Sequence, residues 1–241
     1  MPTTSGRAQG VRTRARAQMR TEILDAARRE LAKEGAAALS LRAVAREVGM
    51  VSSAIYRYFD NRDALLTALI IDAYDSLGAE VEVAEARVPR ADLPGRWQAI
   101  AESVRSWALA NPSLYALVYG SPVPGYAAPQ DTVGPATRVT RLLAALTQDA
   151  RRGEAAAPET EPRAWDLSAE AVEGLAPLVD FMGPGTTEEQ AVAGLMAWTW
   201  LFGAVSFELF GQLVGAVAPE RRADVFAVEA RRAAGWLGLT S

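Results

Sequence analysis

Apolar residues recur along this chain at helical rather than strand spacing. Over residues 19–35, Ile23, Ala26, Ala27 and Leu31 share one face with charged residues between them, and Gly35 supplies a residue that tolerates a left-handed stop. Ser40 is a favoured N-cap ahead of Leu41, Val44, Ala45 and Val48, a second stripe about two turns long that Gly49 closes. The polar pair Ser52-Ser53 opens a third short helix, 52–59. Asp60-Asn61-Arg62-Asp63 breaks the pattern, and a fourth helix runs from 64 to about 83 with Leu65, Leu66, Leu69, Ile70 and Tyr74 as its buried stripe. Asp63 suits the positive N-terminus of that helix.

Two brief helices joined by a short glycine-containing turn are the arrangement of a helix-turn-helix. In such a unit Ala45 is small because the helices cross there, and Ile55 and Phe59 face inward at i, i+4 spacing. Ser53, Ala54, Tyr56, Arg57 and Tyr58 then point outward. Small polar residues let a helix N-terminus enter a major groove closely, while tyrosine hydroxyls and arginines reach phosphates.

Prolines at 89 and 94 separate the fourth helix from one at about 96–110, and Asn111-Pro112 ends that helix and starts another carrying Leu114, Tyr115, Leu117, Val118 and Tyr119. The segment 120–129, with four prolines and glycines in its first six residues, cannot be helix. An amphipathic helix follows at about 135–152, then a segment rich in Ala, Glu and Pro, expected to be a flexible loop over 153–164. Helices near 168–181, 186–217 and 219–237 complete the chain, without period-two strands. The fold class expected is all-α: residues 1–18 a flexible basic arm, 19–66 the helix-turn-helix, and 67–241 a larger helical bundle.

The predicted helix 186–217 has too much apolar circumference for one neighbour. Leu195, Trp198, Phe202, Leu209 and Leu213 form one stripe, and Met196, Trp200, Phe207, Phe210 and Val214 another. One can face the interior and the other a second subunit, where it would meet the last helix through Val225, Val228, Ala233 and Trp236. Gly203, Gly211 and Gly215 would permit close approach. The body also concentrates aromatic residues, and Trp107, Tyr115, Tyr119, Phe181, Trp198 and Phe202 are candidates for the walls of a pocket for a small hydrophobic ligand, with plain core packing the alternative at each.

Charge sharpens this division. The net charge of −4 conceals a head, residues 1–62, with 12 Lys+Arg against 6 Asp+Glu, and a remainder that is acidic. Arg7, Arg12, Arg14, Arg16 and Arg20 crowd the leading edge. Cysteine and histidine are both absent, which excludes thiolate, Ser-His and Cys-His catalysis and leaves only carboxylates for a zinc or copper site. No catalytic residue, metal or cofactor is therefore expected; Asp166, Glu170, Glu173 and Asp180 are carboxylates on one helix surface and look like solvated charge. The first twenty residues hold no apolar run of signal-peptide type, and Ser206, Glu208 and Gln212 interrupt the longest apolar stretch, so a soluble, cytoplasmic protein without a membrane partner is expected.

The run Thr21-Glu-Ile-Leu-Asp-Ala-Ala27, then Glu34-Gly35, Leu39-Ser-Leu-Arg-Ala-Val-Ala-Arg-Glu-Val-Gly49, Ala54-Ile-Tyr-Arg-Tyr-Phe59 and Asn61-Arg-Asp-Ala-Leu-Leu66 resembles the TetR (tetracycline-repressor-like) family in order and spacing. The segment 107–126 is similar to a subgroup of that family, as is 198–211, although the subgroup commonly carries His-Gly where this chain has Phe202-Gly203. The resemblance implies a homodimeric DNA-binding regulator in which Arg42, Ser52, Ser53 and Ala54 lie near base edges and Tyr56, Arg57, Tyr58 and Arg62 hold phosphates or nearby bases. Ala54 is equally readable as a small packing residue or as a contact for a thymine methyl. Val51 stands where the family commonly has a capping Ser or Thr, which leaves Ser52 as the alternative cap at the expense of its base contact.

The function implied is binding to a palindromic operator, with release by a small hydrophobic effector and helix four as the lever. A DNA-organising dimer without an effector, or an activator, is the alternative. A pocket filled by side chains would favour the former.

Overall fold

The computed structural model describes residues 4–154 and 167–239, with side chains over 13–152 and 167–239. Among the described residues the fold is all-α, as the periodicity predicts, with no strand. The helices are α1 (Thr4–Ala38), α2 (Leu41–Val48), α3 (Ser52–Ile55), α4 (Arg62–Ala86), α5 (Leu93–Ala110), α6 (Pro112–Tyr119), α7 (Val133–Ala136), α8 (Arg138–Glu154), α9 (Ala169–Met182), α10 (Glu188–Leu209) and α11 (Arg222–Ala234).

Local chemistry sets most boundaries. Gly35 sits at φ 77° and interrupts the helical backbone of α1 near its end. The Ser40 hydroxyl accepts the Ala43 amide at 3.2 Å, capping α2. At the other end Gly49 is left-handed, its amide donating to Arg46 O, while the Met50 amide donates to Ala45 O at 2.8 Å; this paired closure is a Schellman motif. Thr187 and Gln190 form a reciprocal capping box at the start of α10.

Five expectations differ from the structure, the first being the third helix, predicted over 52–59, which ends at Ile55. The arm expected to be flexible is helical from Thr4, because its Ala, Arg and Gln residues are good helix formers and nothing before Gly35 stops the helix. The helix predicted over 186–217 ends at Leu209: Gly211 and Gly215 adopt φ of 82° and 79° and turn the chain, so they end a helix instead of thinning an interface. The helix predicted over 135–152 is divided at Thr137, whose hydroxyl donates to Gly134 O at 3.0 Å and closes the single turn of α7. Of the loop expected over 153–164, residues 153 and 154 finish α8, and the rest lies outside the described residues.

The chain divides into two compact units, residues 1–74 with 111–133, and residues 75–110 with 134–241. The first is therefore larger than the expected head. Residues 67–74 and 111–133 join it through the Thr67–Tyr126 hydroxyl pair at 2.9 Å, the Tyr74 hydroxyl donating to Val118 O, and the edge-on Tyr74–Tyr119 ring contact. Its core contains Ile23, Ala26, Ala27, Val44, Ala45, Ile55, Leu65 and Leu69, all fully buried.

The core of the second unit is built on Trp97, Ile100, Val104, Leu146, Leu201 and Ala230, with the Trp97 indole donating to Ala230 O at 2.7 Å. Arg96, only 1% exposed, is stabilised by Glu85 at 2.6 Å and Asp149 at 2.9 Å, which pins α5 to α4 and α8. Helix α10 is long and apolar enough by length and composition to cross a membrane. Its apolar residues divide between the interior (Ala197, Leu201, Val205) and the surface (Leu195, Trp198, Phe207).

Candidate functional site

Helix α3 is a single turn, held by the burial of Ile55 and Phe59 at i, i+4 spacing. Its N-cap is Val51, which offers no side-chain cap, so Ser52 is not the cap and stays exposed within the helix. Ser53, Tyr56 and Arg57 are exposed beside it, while Ala54 and Tyr58 are half-buried. Arg42 on α2 is exposed as well. Six of the eight residues expected to read DNA thus lie in one segment, 52–58, that offers small hydroxyls, a phenol and a guanidinium to solvent.

Arg62 behaves differently. Its Nε donates to Leu39 O at 3.0 Å, and its Nη2 donates to Ala36 O at 2.9 Å and Ala37 O at 3.1 Å. These carbonyls lie beyond the Gly35 interruption, where the chain leaves α1, and the guanidinium supplies them with a charged donor. Arg62 thus fastens the start of α4 to the end of α1, with its side chain 31% exposed.

Sequence reasoning missed the residues that hold α3 from its other end. Arg16 Nη2 donates to Arg57 O at 3.1 Å, and Arg20 Nη1 donates to Tyr58 O at 3.3 Å while its guanidinium lies 4.4 Å from the centre of the Phe59 ring. Their i, i+4 spacing on α1 was the available signal. Arg29 pairs with Glu47 and Arg28 with Asp72, tying α1 to α2 and α4.

The second unit contains a cavity of about 200 Å³ between α8, α9 and α10. Leu143, Ala144, Leu178, Phe181, Leu195 and Trp198 are among its walls, and Thr140 and Thr147 contribute its hydroxyls. Of the six aromatic residues expected to form a pocket, this cavity unites Phe181 and Trp198. Phe202 packs against Trp198 with ring centres 6.1 Å apart but is not a wall. Trp107 is core, with its indole donating to Ser76 at 3.0 Å. Tyr115 and Tyr119 stack 5.0 Å apart in the first unit. Burial, with the neighbouring Tyr74 and Tyr115 phenols, pushes the Tyr119 hydroxyl far above the usual range and keeps it neutral.

A second recess, about 320 Å³, opens on the α10–α11 face among Trp200, Gly203, Phe207, Leu213, Val225 and Phe226. Phe207 is 57% exposed and Val214 75%, with Phe210, Val225 and Val228 also exposed around it. Ala233, expected on this face, is instead fully buried within the chain, on a helix packed against both α5 and α10. Beneath the face Arg105 makes a two-pronged bond to buried Glu208 at 2.6 and 2.7 Å. Glu170, Glu173 and Asp180 are exposed on α9, and Asp166 lies outside the described residues.

Residues 23–69 match the family described as bacterial regulatory proteins, tetR family, and residues 97–233 match that described as Tetracyclin repressor-like, C-terminal domain. The chain is 42% identical over 210 residues to the HTH-type transcriptional regulator Rv1816 of Mycobacterium tuberculosis and to Mb1846 of Mycobacterium bovis, covering 84% of this chain and 86% of each relative. Among solved structures it resembles the regulatory protein SCO4313 (33% identity, TM-score 0.73, 92% of this chain and 98% of that one). It also resembles a protein from Rhodococcus sp. RHA1 (26% identity, TM-score 0.64, 92% and 95%). With an N-terminal helix-turn-helix and an all-helical remainder both matched along their length, the chain belongs to the TetR family of DNA-binding transcriptional regulators.

Proposed function

We propose that this regulator is a homodimeric cytoplasmic repressor that leaves a near-palindromic operator when a small hydrophobic effector occupies its C-terminal domain, and that it performs no catalysis. The observation that carries the DNA-reading part is the exposure of Ser52, Ser53, Tyr56 and Arg57 around a turn whose apolar residues are buried. Half-buried Ala54 and Tyr58 belong to the same segment, and Arg42 is exposed on α2. Small residues at the helix start suit base edges, and Arg57 and the tyrosines suit phosphates.

The apolar α10–α11 face supports dimerisation, since Phe207, Phe210 and Val214 gain most by leaving water together. Two heads related by a twofold axis would meet half-sites about 34 Å apart on one side of the duplex. The unfilled cavity walled by Phe181 and Trp198 supports an effector over a purely architectural role. An effector with higher affinity for the DNA-incompetent arrangement shifts the population away from the operator, and the operator weakens effector binding by the same factor. Helix α4 contributes residues to both units and is one covalent route for that coupling.

Selection of bound fragments from random duplex DNA tests the proposal. Inverted repeats with half-sites one helical turn apart are expected, whereas retention of unrelated sequences with equal affinity refutes it. Sedimentation of Phe207→Asp checks the face: a monomer is expected where the parent protein is a dimer.

A further inference from the structure

We propose that the cavity between α8, α9 and α10 selects a small neutral arene carrying a hydrogen-bond donor, with a short alkyl-substituted phenol as the type ligand. The inference deepens the effector reading above and rests on it for its biological meaning, though not for the binding itself.

Size sets the first limit. A dry apolar cavity of about 150 Å³ accommodates a benzene ring. This cavity is open to solvent on one side, and its volume of about 200 Å³ has room for a ring with a short alkyl chain. Phe181 on α9 and Trp198 on α10 are both partly exposed walls, and offset or edge-on contact with such faces favours a flat aromatic guest over a branched aliphatic one.

Charge sets the second limit. None of the walls carries a charged side chain, so a carboxylate or ammonium entering the cavity would shed water without gaining a counter-ion.

Hydrogen-bond polarity sets the third. Thr140 and Thr147 contribute the wall hydroxyls, and each has its single hydrogen committed: Thr140 donates to Thr137 O and Thr147 to Leu143 O, both at 3.0 Å. Their oxygens can accept but no longer donate. A ligand hydroxyl or amine therefore finds an acceptor, while an ether or ketone finds no matching donor on either threonine. Thr147 is 6% exposed, so its oxygen competes poorly for water when the cavity is empty.

Titration calorimetry of the intact protein with 4-propylphenol, its methyl ether and 4-propylbenzoate tests this. The phenol is expected to bind about fivefold more tightly than the ether, the value of one hydrogen bond, and the benzoate to give no heat. Joint Thr140→Val and Thr147→Val substitution should erase the difference between phenol and ether. Should that double variant fold poorly, Ala144→Phe, which fills the cavity from its wall, should abolish binding of both with little loss of stability. Equal affinity for phenol and ether, tighter binding of the benzoate, or binding that survives Ala144→Phe overturns the proposal.

Fluorescence anisotropy of the operator complex with the same compounds separates the two readings. Phenol binding without DNA release upholds the cavity and removes its role as effector site. DNA release by a compound whose binding ignores Ala144→Phe leaves the repressor standing and removes the cavity.

Discussion

Replacing Arg62 by methionine keeps the length of the side chain and removes the charge, and it distinguishes a structural arginine from a DNA-binding one. The guanidinium serves three backbone carbonyls, those of Ala36, Ala37 and Leu39, at 2.9 to 3.1 Å. A hydrogen bond from a charged donor contributes about 1.5 kcal/mol or more when sheltered, and here the side chain is 31% exposed, so about 1 kcal/mol each is a fair discount. The sum, roughly 2 to 3 kcal/mol, corresponds to a melting temperature lower by about 4–12 °C for a chain of this size. Thermal melting by circular dichroism reads that directly. Operator affinity should then be measured against salt well below the melting range. Each lost phosphate contact removes about 0.9 from the slope of log K on log salt. Arg62→Met should leave the slope unchanged, whereas Arg57→Met should reduce it by about one per protomer. A flattened slope with an unaltered melting temperature for Arg62→Met would refute the assignment and return Arg62 to the DNA surface.

Three further outcomes follow from the same geometry. Gly49→Ala, at φ 76° with open space around the added carbon, should destabilise by roughly 1 kcal/mol through backbone strain alone, a loss read as a lower urea midpoint with unchanged m-value. Arg105→Met strands the Glu208 carboxylate in a buried position and should remove roughly 2–4 kcal/mol, while the further change Glu208→Gln should restore much of it; no recovery in the double variant would show that packing, not charge, is at stake. Acid should weaken the second unit. The Arg138 hydrogen bond holds Glu82 below the usual carboxylate range. At Asp149 burial pushes the pKa up, but hydrogen bonding and charge from Arg96 and Arg90 outweigh it. Both carboxylates bind protons more weakly folded than unfolded, so their stabilisation is complete above the unfolded pKa of about 4 and is lost as pH falls below it. Urea melts between pH 7 and 3 should show that decline, smaller in Arg138→Met.

The helix-turn-helix was legible because its determinants are local. Ser40, Gly49 and the spacing of Ile55 and Phe59 specify caps and an inward face without reference to distant residues. The backbone contacts of Arg62 were hidden for the opposite reason. Its partners lie 23 to 26 positions away, and a basic residue beside a recognition helix has the same appearance in sequence whether it meets phosphate or carbonyl. Arg16 and Arg20 were hidden in the same way, since a basic run signals solvation, while their contacts with Arg57 and Tyr58 exist only after folding.

Gly211 and Gly215 could have been read correctly, because paired glycines beyond a helix more often turn a chain than pack it. The aromatic residues of the body were identified as a class but not sorted. Whether a tryptophan fills a core, as Trp107 does, or borders a void, as Trp198 does, depends on which helices meet, and periodicity along one helix does not encode that.

The division of labour inside residues 52–59 bears on how such a protein acquires new targets. Two positions, Ile55 and Phe59, anchor the segment by burial, and four others, Ser52, Ser53, Tyr56 and Arg57, are exposed. Under the proposed DNA-reading role, sequence change at those four would alter what is recognised with little penalty to folding, so a lineage could drift from one target to another without passing through an unstable ancestor. A library randomised at those four codons should accordingly remain almost wholly folded while spreading over many duplex sequences.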